Sequence, residues 1–331
     1  MSYTKERNSR AMVDAAARFI REHDDILFIA HISPDGDTLG SCLALYQIAC
    51  QMNKHAQVVC EERVPAIYRF LPEADRVLLP RDARQAEAVM CVDCADIARA
   101  GICATFFHTA AATFNIDHHD TNQAYADGNF IRMSAATGEL VYQLLLELQL
   151  DLTESIASCI FTAISTDTGN FAYSNTTSDT FRIAASLTDA GIDVSYLNRC
   201  LFRTIPFRKI KLLGRALANL MLYHNGRLGM ATLTQADMID CGASGEDAEG
   251  IIDSIRDIDT VEIALLIRES PDDRIRVSMR GKSIANVGDI ALALGGGGHR
   301  FSAGCTLDGP LQTAVARVRE AAEIVLTNAK Q

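Results

Sequence analysis

The sequence predicts an α/β protein in two parts. The first is a parallel-sheet domain with helices on both faces of the sheet. A linker helix then leads to a smaller α/β domain. Two observations carry this. Short apolar runs alternate with helical stretches over the first 120 or so residues, the signature of βαβ units. Near Leu222 the texture then changes to strand-rich segments, "GRLGMATLT", "TVEIALLIRES" and "RIRVSMRG". A chain of 331 residues is long enough for two domains. The predicted boundaries are 1–200 for the first domain, 201–221 for the linker helix and 222–331 for the second domain.

Residues 10–23 have the spacing of an amphipathic helix. "ILFIAHI" is a buried strand, and from Asp37 a helix runs through "LGSCLALYQIACQM". Strands "HAQVVCEE" and "AVMCVDCA", a helix near 98–110 and strand "TFNIDHH" follow. From 137 to about 200 the pattern is helical, through "TGELVYQLLLELQL", "TESIASCIFTAISTDTG" and "SDTFRIAASLTDAG". The linker helix is "FRKIKLLGRALANLM". A "PDD" turn joins the last two strands of the second domain, and a helix over 311–328 ends it. There is no internal repeat, and the one low-complexity tract is Gly295–Gly298.

Hydrophobic residues make up 48% of the chain and charged residues 22%, a globular profile. No apolar run reaches the roughly 18 residues of a membrane span. The polar start, "MSYTKERNSR", lacks the apolar stretch of a signal peptide, so a cytoplasmic protein with no membrane partner is expected. The ten cysteines are scattered through apolar contexts, as reduced, buried thiols are. "CVDC" (Cys91, Cys94) has no second pair to complete a zinc site. The net charge of −11 argues against a long nucleic-acid track, which needs a basic face. It leaves room for a small phosphorylated substrate held by metal ions and a local arginine cluster.

Four clusters end predicted strands or helices: "HISPDGDTLGS", "VDCAD", "IDHHD" and "STDTGNF". In parallel sheets, ligands bind beyond the carboxyl ends of the strands. Taken singly, each cluster has an ordinary explanation as a turn, a helix N-cap, a polar loop or a helix end. Together they offer His31, Asp35, Asp37, Asp93, His118 and Asp167. Carboxylates mixed with imidazoles suit Mn²⁺, and Zn²⁺ or Fe²⁺ less specifically. Two ions bridged by one carboxylate form a clamp for in-line attack on phosphorus. Asp93, on a middle strand, is the candidate bridge. In the second domain, consecutive glycines let a backbone approach an anion and offer it N–H groups. Arg280 ends a strand shortly before the glycine run and can grip phosphate bidentately.

These motifs resemble the DHH phosphoesterase superfamily. There, H-x-x-P-D-x-D-x-x-G-S, a lone Asp, D-H-H and a later Asp build a two-metal centre. "ALGGGGHRFSAGC" resembles the signature G-G-G-H-x-x-A-A-G of the DHH-associated domain, with Ser302 in place of its first Ala. Motif order and length are similar to the stand-alone nanoRNase/pAp phosphatase branch. The resemblance implies one Mn²⁺ at His31, Asp35 and Asp93, and a second at Asp37, Asp93, His118 and Asp167. It implies that His119 faces the scissile phosphate, with Asp117 orienting its neighbours. Arg280, Gly296, Gly297, Gly298 and His299 would bind the substrate's phosphates and base. Lys282 and Arg300 lie close by in sequence, and Arg203 and Arg208 flank the linker.

The implied activity is attack by a hydroxide activated between two metal ions. The substrates would be oligoribonucleotides of roughly two to five nucleotides, since an acidic chain offers no long cationic track. The products would be mononucleotides, and 3′-phosphoadenosine 5′-phosphate would give AMP. The alternatives are a pApA or cyclic di-AMP phosphodiesterase, an inorganic pyrophosphatase of the same superfamily, and a nucleotide-sensing module without catalysis. A homodimer is left open.

Overall fold

Helix α1 (Ser2–Glu22) leads into β1 (Asp25–Ala30), α2 (Gly36–Gln51), β2 (His55–Val59), β3 (Val77–Leu78) and β4 (Ala88–Val92). Then come α3 (Ala104–Thr109), β5 (Ala112–Asp117), β6 (Gly128–Ile131), α4 (Thr137–Leu148), α5 (Glu154–Asp167), α6 (Ser178–Asp189) and α7 (Val194–Asn198). This is a computed structural model that describes residues 2–328, and its first unit ends at Thr204.

The first sheet runs β3-β2-β1-β4-β5-β6, with every pair parallel. The apolar runs read as strands are continuous because both faces of the sheet are buried. Ile26, Phe28, Ala30, Met90 and Val92 enter one core with residues of α1, α2, α4 and α5. Leu27, Ile29, Val89 and Cys91 enter another with Ala100, Cys103 and Phe107. From β1 the chain builds outward to β2 and β3, then crosses back to β4 on the other side of β1. The strand order therefore reverses between β1 and β4. Crossover segments diverge there and leave a crevice at the carboxyl ends of the strands. His31 follows β1, Asp93 follows β4, and Asp117 ends β5.

Helices α2 and α5 approach closely at Gly40. A Cβ there would lie 2.4 Å from the Cys159 carbonyl oxygen, so only glycine fits. Gly36 meets Thr166 in the same way, at 2.5 Å. The start of α2 is thereby brought against the end of α5, where Asp167 lies.

The helix predicted near 98–110 is broken. Gly101 takes φ +57°, and 3-10 turns over Ile97–Cys103 precede the short α3.

The second unit begins at Ile205. It contains α8 (Phe207–Ala218), β7 (Met221–Tyr223), β8 (Leu228–Leu233), α9 (Gln235–Cys241), α10 (Ile251–Arg256) and β9 (Ile263–Glu269). It continues with β10 (Ile275–Gly281), α11 (Val287–Ala293), β11 (Gly297–His299), β12 (Ser302–Leu307) and α12 (Leu311–Asn328). The sheet order is β11-β12-β10-β9-β8-β7, parallel between β8 and β9 and antiparallel elsewhere. Ile275, Val277 and Met279 of β10 point into a core shared with α11 and α12. The segment predicted as a linker over 201–221 contains α8, whose Leu212 and Ala216 are buried in this unit among Ala264, Leu266 and Ile252. Among the described residues no helix is long and apolar enough to cross a membrane.

Candidate metal centre

His31 is 1% exposed, and its Nδ1 lies 2.7 Å from the Ile32 carbonyl oxygen. Donation to that oxygen holds a proton on Nδ1, so Nε2 is the nitrogen that would offer its electron pair to a cation. Nε2 faces Asp35 Oδ2 at 3.7 Å and Asp93 Oδ2 at 3.5 Å. Asp35 caps α2: its Oδ1 accepts from the N–H groups of Asp37 at 3.0 Å and Thr38 at 3.1 Å. The ordinary N-cap explanation of "PDGD" is therefore true, yet it uses only one of the two carboxylate oxygens. The other is turned to His31.

Asp37 is buried at the opposite side of the group. It accepts from the N–H groups of Thr137 at 2.7 Å and Gly138 at 3.0 Å, at the start of α4, and from the Ser41 hydroxyl at 3.2 Å. His118 donates from Nδ1 to the Ser134 carbonyl oxygen at 3.1 Å. Its Nε2 lies 3.5 Å from Asp93 Oδ1, 3.5 Å from Asp167 Oδ2 and 3.7 Å from Asp37 Oδ2.

Asp93 stands between the two halves. Its backbone is left-handed, φ +58°, a conformation that costs energy in a residue other than glycine. It is held by its N–H donating to the Ile116 carbonyl at 2.9 Å and by the Thr137 hydroxyl donating to Oδ1 at 2.9 Å. As a result Oδ2 faces His31, and Oδ1 faces His118 and His119.

His119 differs from its neighbour. Its Nδ1 is bonded to Asp117 Oδ1 at 2.7 Å, and its ring is 34% exposed. Asp117 is fully buried, and its Oδ2 accepts from Asn122 at 2.5 Å. Asn122 in turn donates to Asn115 Oδ1 at 2.7 Å.

Charge is unbalanced here. Burial, and then the Asp93 and Asp167 carboxylates, push the Asp37 carboxyl well above the usual range. Burial also raises Asp167, to about 6; His118 works against this, and Asp93 and Asp35 add to it. Burial would lower His31, but Asp35 and Asp93 outweigh it and raise the imidazole to about 9. The His119 imidazole is raised, chiefly by its bond to Asp117. Burial would raise Asp117, but the bonds from His119 and Asn122 hold it below the ordinary value. Crowded, buried carboxylates of this kind are relieved by a cation. Three sets of donor atoms have metal-binding spacing: His31, Asp35 and Asp93; Asp37, His118 and Asp167; and Asp93, His118 and His119. Oxygen and imidazole donors together fit a divalent transition ion.

Several contributors escaped the sequence. Thr137 and Gly138 start a helix in an unremarkable "TGE", and Asn115 and Asn122 have no motif. Arg99, whose guanidinium lies 3.1 Å from His31 Nδ1, belongs to no motif either. Cys91 and Cys94 are buried and free, and among the described residues no cysteine joins a set with metal-binding spacing.

In the second unit, Arg280 pairs in register with Ser302, which pairs with His299. Directly paired residues project to the same face, so these three form a row across β10, β12 and β11. The glycine run is ordered structure. A Cβ on Gly296 would fall 2.3 Å from the Gly304 carbonyl oxygen, and Gly297 and Gly298 form β11 with His299. The N–H of Gly296 donates to Ala291 at 2.8 Å. Arg280 Nη1 donates to the Met279 carbonyl at 3.1 Å, and its Nε is 3.8 Å from Asp253. Lys282 donates to the Ile258 carbonyl at 2.6 Å, and Arg300 lies over the Phe301 ring at 5.3 Å. Arg208 is bonded to the buried Asp247 at 2.9 Å, and Arg203 belongs to the first unit.

Residues 25–164 match the model of the DHH family, N-terminal domain, and residues 231–328 match the DHHA1 domain. The chain is 34% identical to the bifunctional oligoribonuclease and PAP phosphatase NrnA of Thermus thermophilus, over 95% of this chain and 94% of that protein. It is 29% identical to a probable bifunctional oligoribonuclease and PAP phosphatase NrnA of Streptococcus mutans, over 86% of this chain and 90% of that one. An exopolyphosphatase-related protein of Bacteroides fragilis has the same fold, with a TM-score of 0.91, 24% identity, and coverage of 97% of this chain and 98% of that one. With both domain models matched in order and a relative similar along nearly its whole length, the chain belongs to the DHH family of phosphoesterases.

Proposed function

We propose that this phosphoesterase hydrolyses short oligoribonucleotides to mononucleotides and converts 3′-phosphoadenosine 5′-phosphate to AMP. The observation that carries the proposal is the position of Asp93. One of its oxygens faces His31 beside Asp35, and the other faces His118 beside Asp37 and Asp167. His31, Asp35 and Asp93 would hold one divalent ion, and Asp37, Asp93, His118 and Asp167 a second, with Mn²⁺ the best match to these donors. Bound there, the ions would activate the attacking water and offset charge on the phosphoryl oxygens.

The protein's own groups do the rest. The bond to Asp117 fixes the His119 ring and raises its pKa, which favours the protonated form. Its Nε2–H is then free to donate to the leaving oxygen or to a phosphoryl oxygen. The α4 amides and Thr137 hold Asp37 and Asp93 in place before substrate arrives. Arg280, Gly296–Gly298 and His299 would bind the substrate's phosphates and base, making the second unit the substrate reader. Two relatives named as oligoribonuclease and PAP phosphatase support the choice of substrates. The ten free cysteines, most of them buried, accord with a cytoplasmic setting.

The test offers purified protein and Mn²⁺ with short RNA, 3′-phosphoadenosine 5′-phosphate, pApA and pyrophosphate in parallel, with products resolved by chromatography. Mononucleotides from short RNA and AMP from the bisphosphate are expected. Turnover confined to pyrophosphate, or to pApA, would replace this proposal with the corresponding alternative.

A further inference from the structure

Just past Asp167 the chain makes an unusual turn. Gly169, Asn170 and Phe171 are all left-handed, with φ +56°, +59° and +65°. Glycine adopts this region freely, whereas in a bulky residue such as Phe it is an outlier sustained by its surroundings. The turn is fastened at several points. The Asn170 N–H donates to the Ser165 carbonyl at 2.7 Å, and the Tyr173 N–H to the Thr168 carbonyl at 2.9 Å. Asn175 Nδ2 donates to the carbonyls of Asp167 at 3.1 Å and Ala135 at 3.0 Å.

The result is that the Tyr173 ring lies on Gly169. A Cβ at Gly169 would fall between 2.4 and 2.6 Å from three of the ring's carbon atoms. The ring is thus held against the backbone, yet Tyr173 remains 57% exposed. Its hydroxyl has no hydrogen-bond partner among the described residues, so the ring is not there to place that group. Phe181, also exposed, already stacks on Phe171 at 5.6 Å, whereas Tyr173 has no aromatic partner among the described residues. Gly169 is two residues from Asp167, a reach of about 7 Å at most.

We propose that Tyr173 is a stacking platform for the nucleobase of the nucleotide whose phosphate is bound at the carboxylate–histidine group. The ligand class is a nucleotide, as opposed to a base-free phosphate or polyphosphate, which has no π-face to stack. The proposal rests on reading that group as the phosphate site. Stacking on a fixed aromatic ring tolerates any base, which suits an enzyme that takes short RNA of mixed sequence.

The test measures equilibrium binding of AMP and of its base-free counterpart, ribose 5-phosphate, to the full chain in Mn²⁺ by calorimetry. The wild type should prefer AMP by about tenfold or more. Tyr173→Ala should lose most of that preference with unchanged affinity for ribose 5-phosphate, and Tyr173→Phe should keep it. The proposal is overturned if Tyr173→Ala weakens both ligands equally, because the ring then only supports the turn. It is also overturned if the preference survives in Tyr173→Ala, or if the wild type shows none. Asp93→Asn, measured alongside, tests the phosphate site separately. Unchanged ribose 5-phosphate binding in that variant would refute the site, whatever Tyr173 does.

Discussion

In the proposed mechanism Asp93 and His119 divide the chemistry between them. Asp93→Asn keeps the shape of the side chain and removes the charge that both halves of the group share. Turnover should fall about a thousandfold or more, equivalent to about 4 kcal/mol of barrier, and bound metal measured by elemental analysis should fall with it. His119→Ala should instead lower kcat by about 10²- to 10⁴-fold and leave metal content unchanged, because the nitrogen it turns toward Asp93 is Nδ1, at 3.7 Å, and that nitrogen is already bonded to Asp117. Loss of metal in that variant would make His119 a ligand. The pH dependence follows from the direction of its shift. The proposed role of His119 needs its protonated form and its pKa is raised by Asp117, so kcat should decline on the alkaline side, above the ordinary imidazole range. Asp117→Asn removes that support and should move the decline to lower pH in a kcat–pH profile. At this scale the sequence was informative wherever a titratable side chain sat at the end of an apolar run. It was silent on Thr137, Asn115 and Asn122, whose part is to hydrogen-bond residues distant along the chain.

The close approach of α2 and α5 brings the helix that carries Asp37 against the helix that ends at Asp167. Gly40→Ala gains roughly 1 kcal/mol of helix propensity but drives a Cβ into the Cys159 carbonyl oxygen, a clash that costs about 1–3 kcal/mol. The clash should win, seen as a lower Tm and weaker Mn²⁺ binding; a higher Tm would show that the helices separate freely. The row formed by Arg280, Ser302 and His299 makes a different prediction. Arg280→Ala and His299→Ala should raise KM and leave metal occupancy intact, and a change confined to kcat would contradict a binding role. Elements with long apolar or periodic runs, such as β1, β4, β5 and α5, were legible in the sequence. β3 is two residues long and β11 is Gly-Gly-His, so neither has a pattern to detect. The glycine run was legible as a signature and illegible as a strand, since its conformation depends on pairing with β12. The helix near 98–110 was read through Gly101, whose positive φ breaks it.

At the scale of the whole molecule, the charge of −11 is read directly from the sequence, and the structure divides at Thr204–Ile205. Placing the boundary was harder. Helix α8 has an exposed apolar side, with Phe207 77% exposed, beside its buried Leu212 and Ala216. In sequence that mixture looks like a connector, whereas in the structure the helix packs into the second unit. On the proposed reading, an acidic protein whose binding groups are one metal site and one short row would not gain grip from an extended backbone. Its affinity should not grow with each added phosphate, as it does for basic grooves. The most direct measurement of the central claim is a length series of 5′-labelled RNA at fixed salt and fixed Mn²⁺. The account predicts the highest rate at roughly two to five nucleotides and a fall on longer strands. Equal or faster degradation of a strand of about 24 nucleotides would contradict it and indicate a processive single-strand exonuclease.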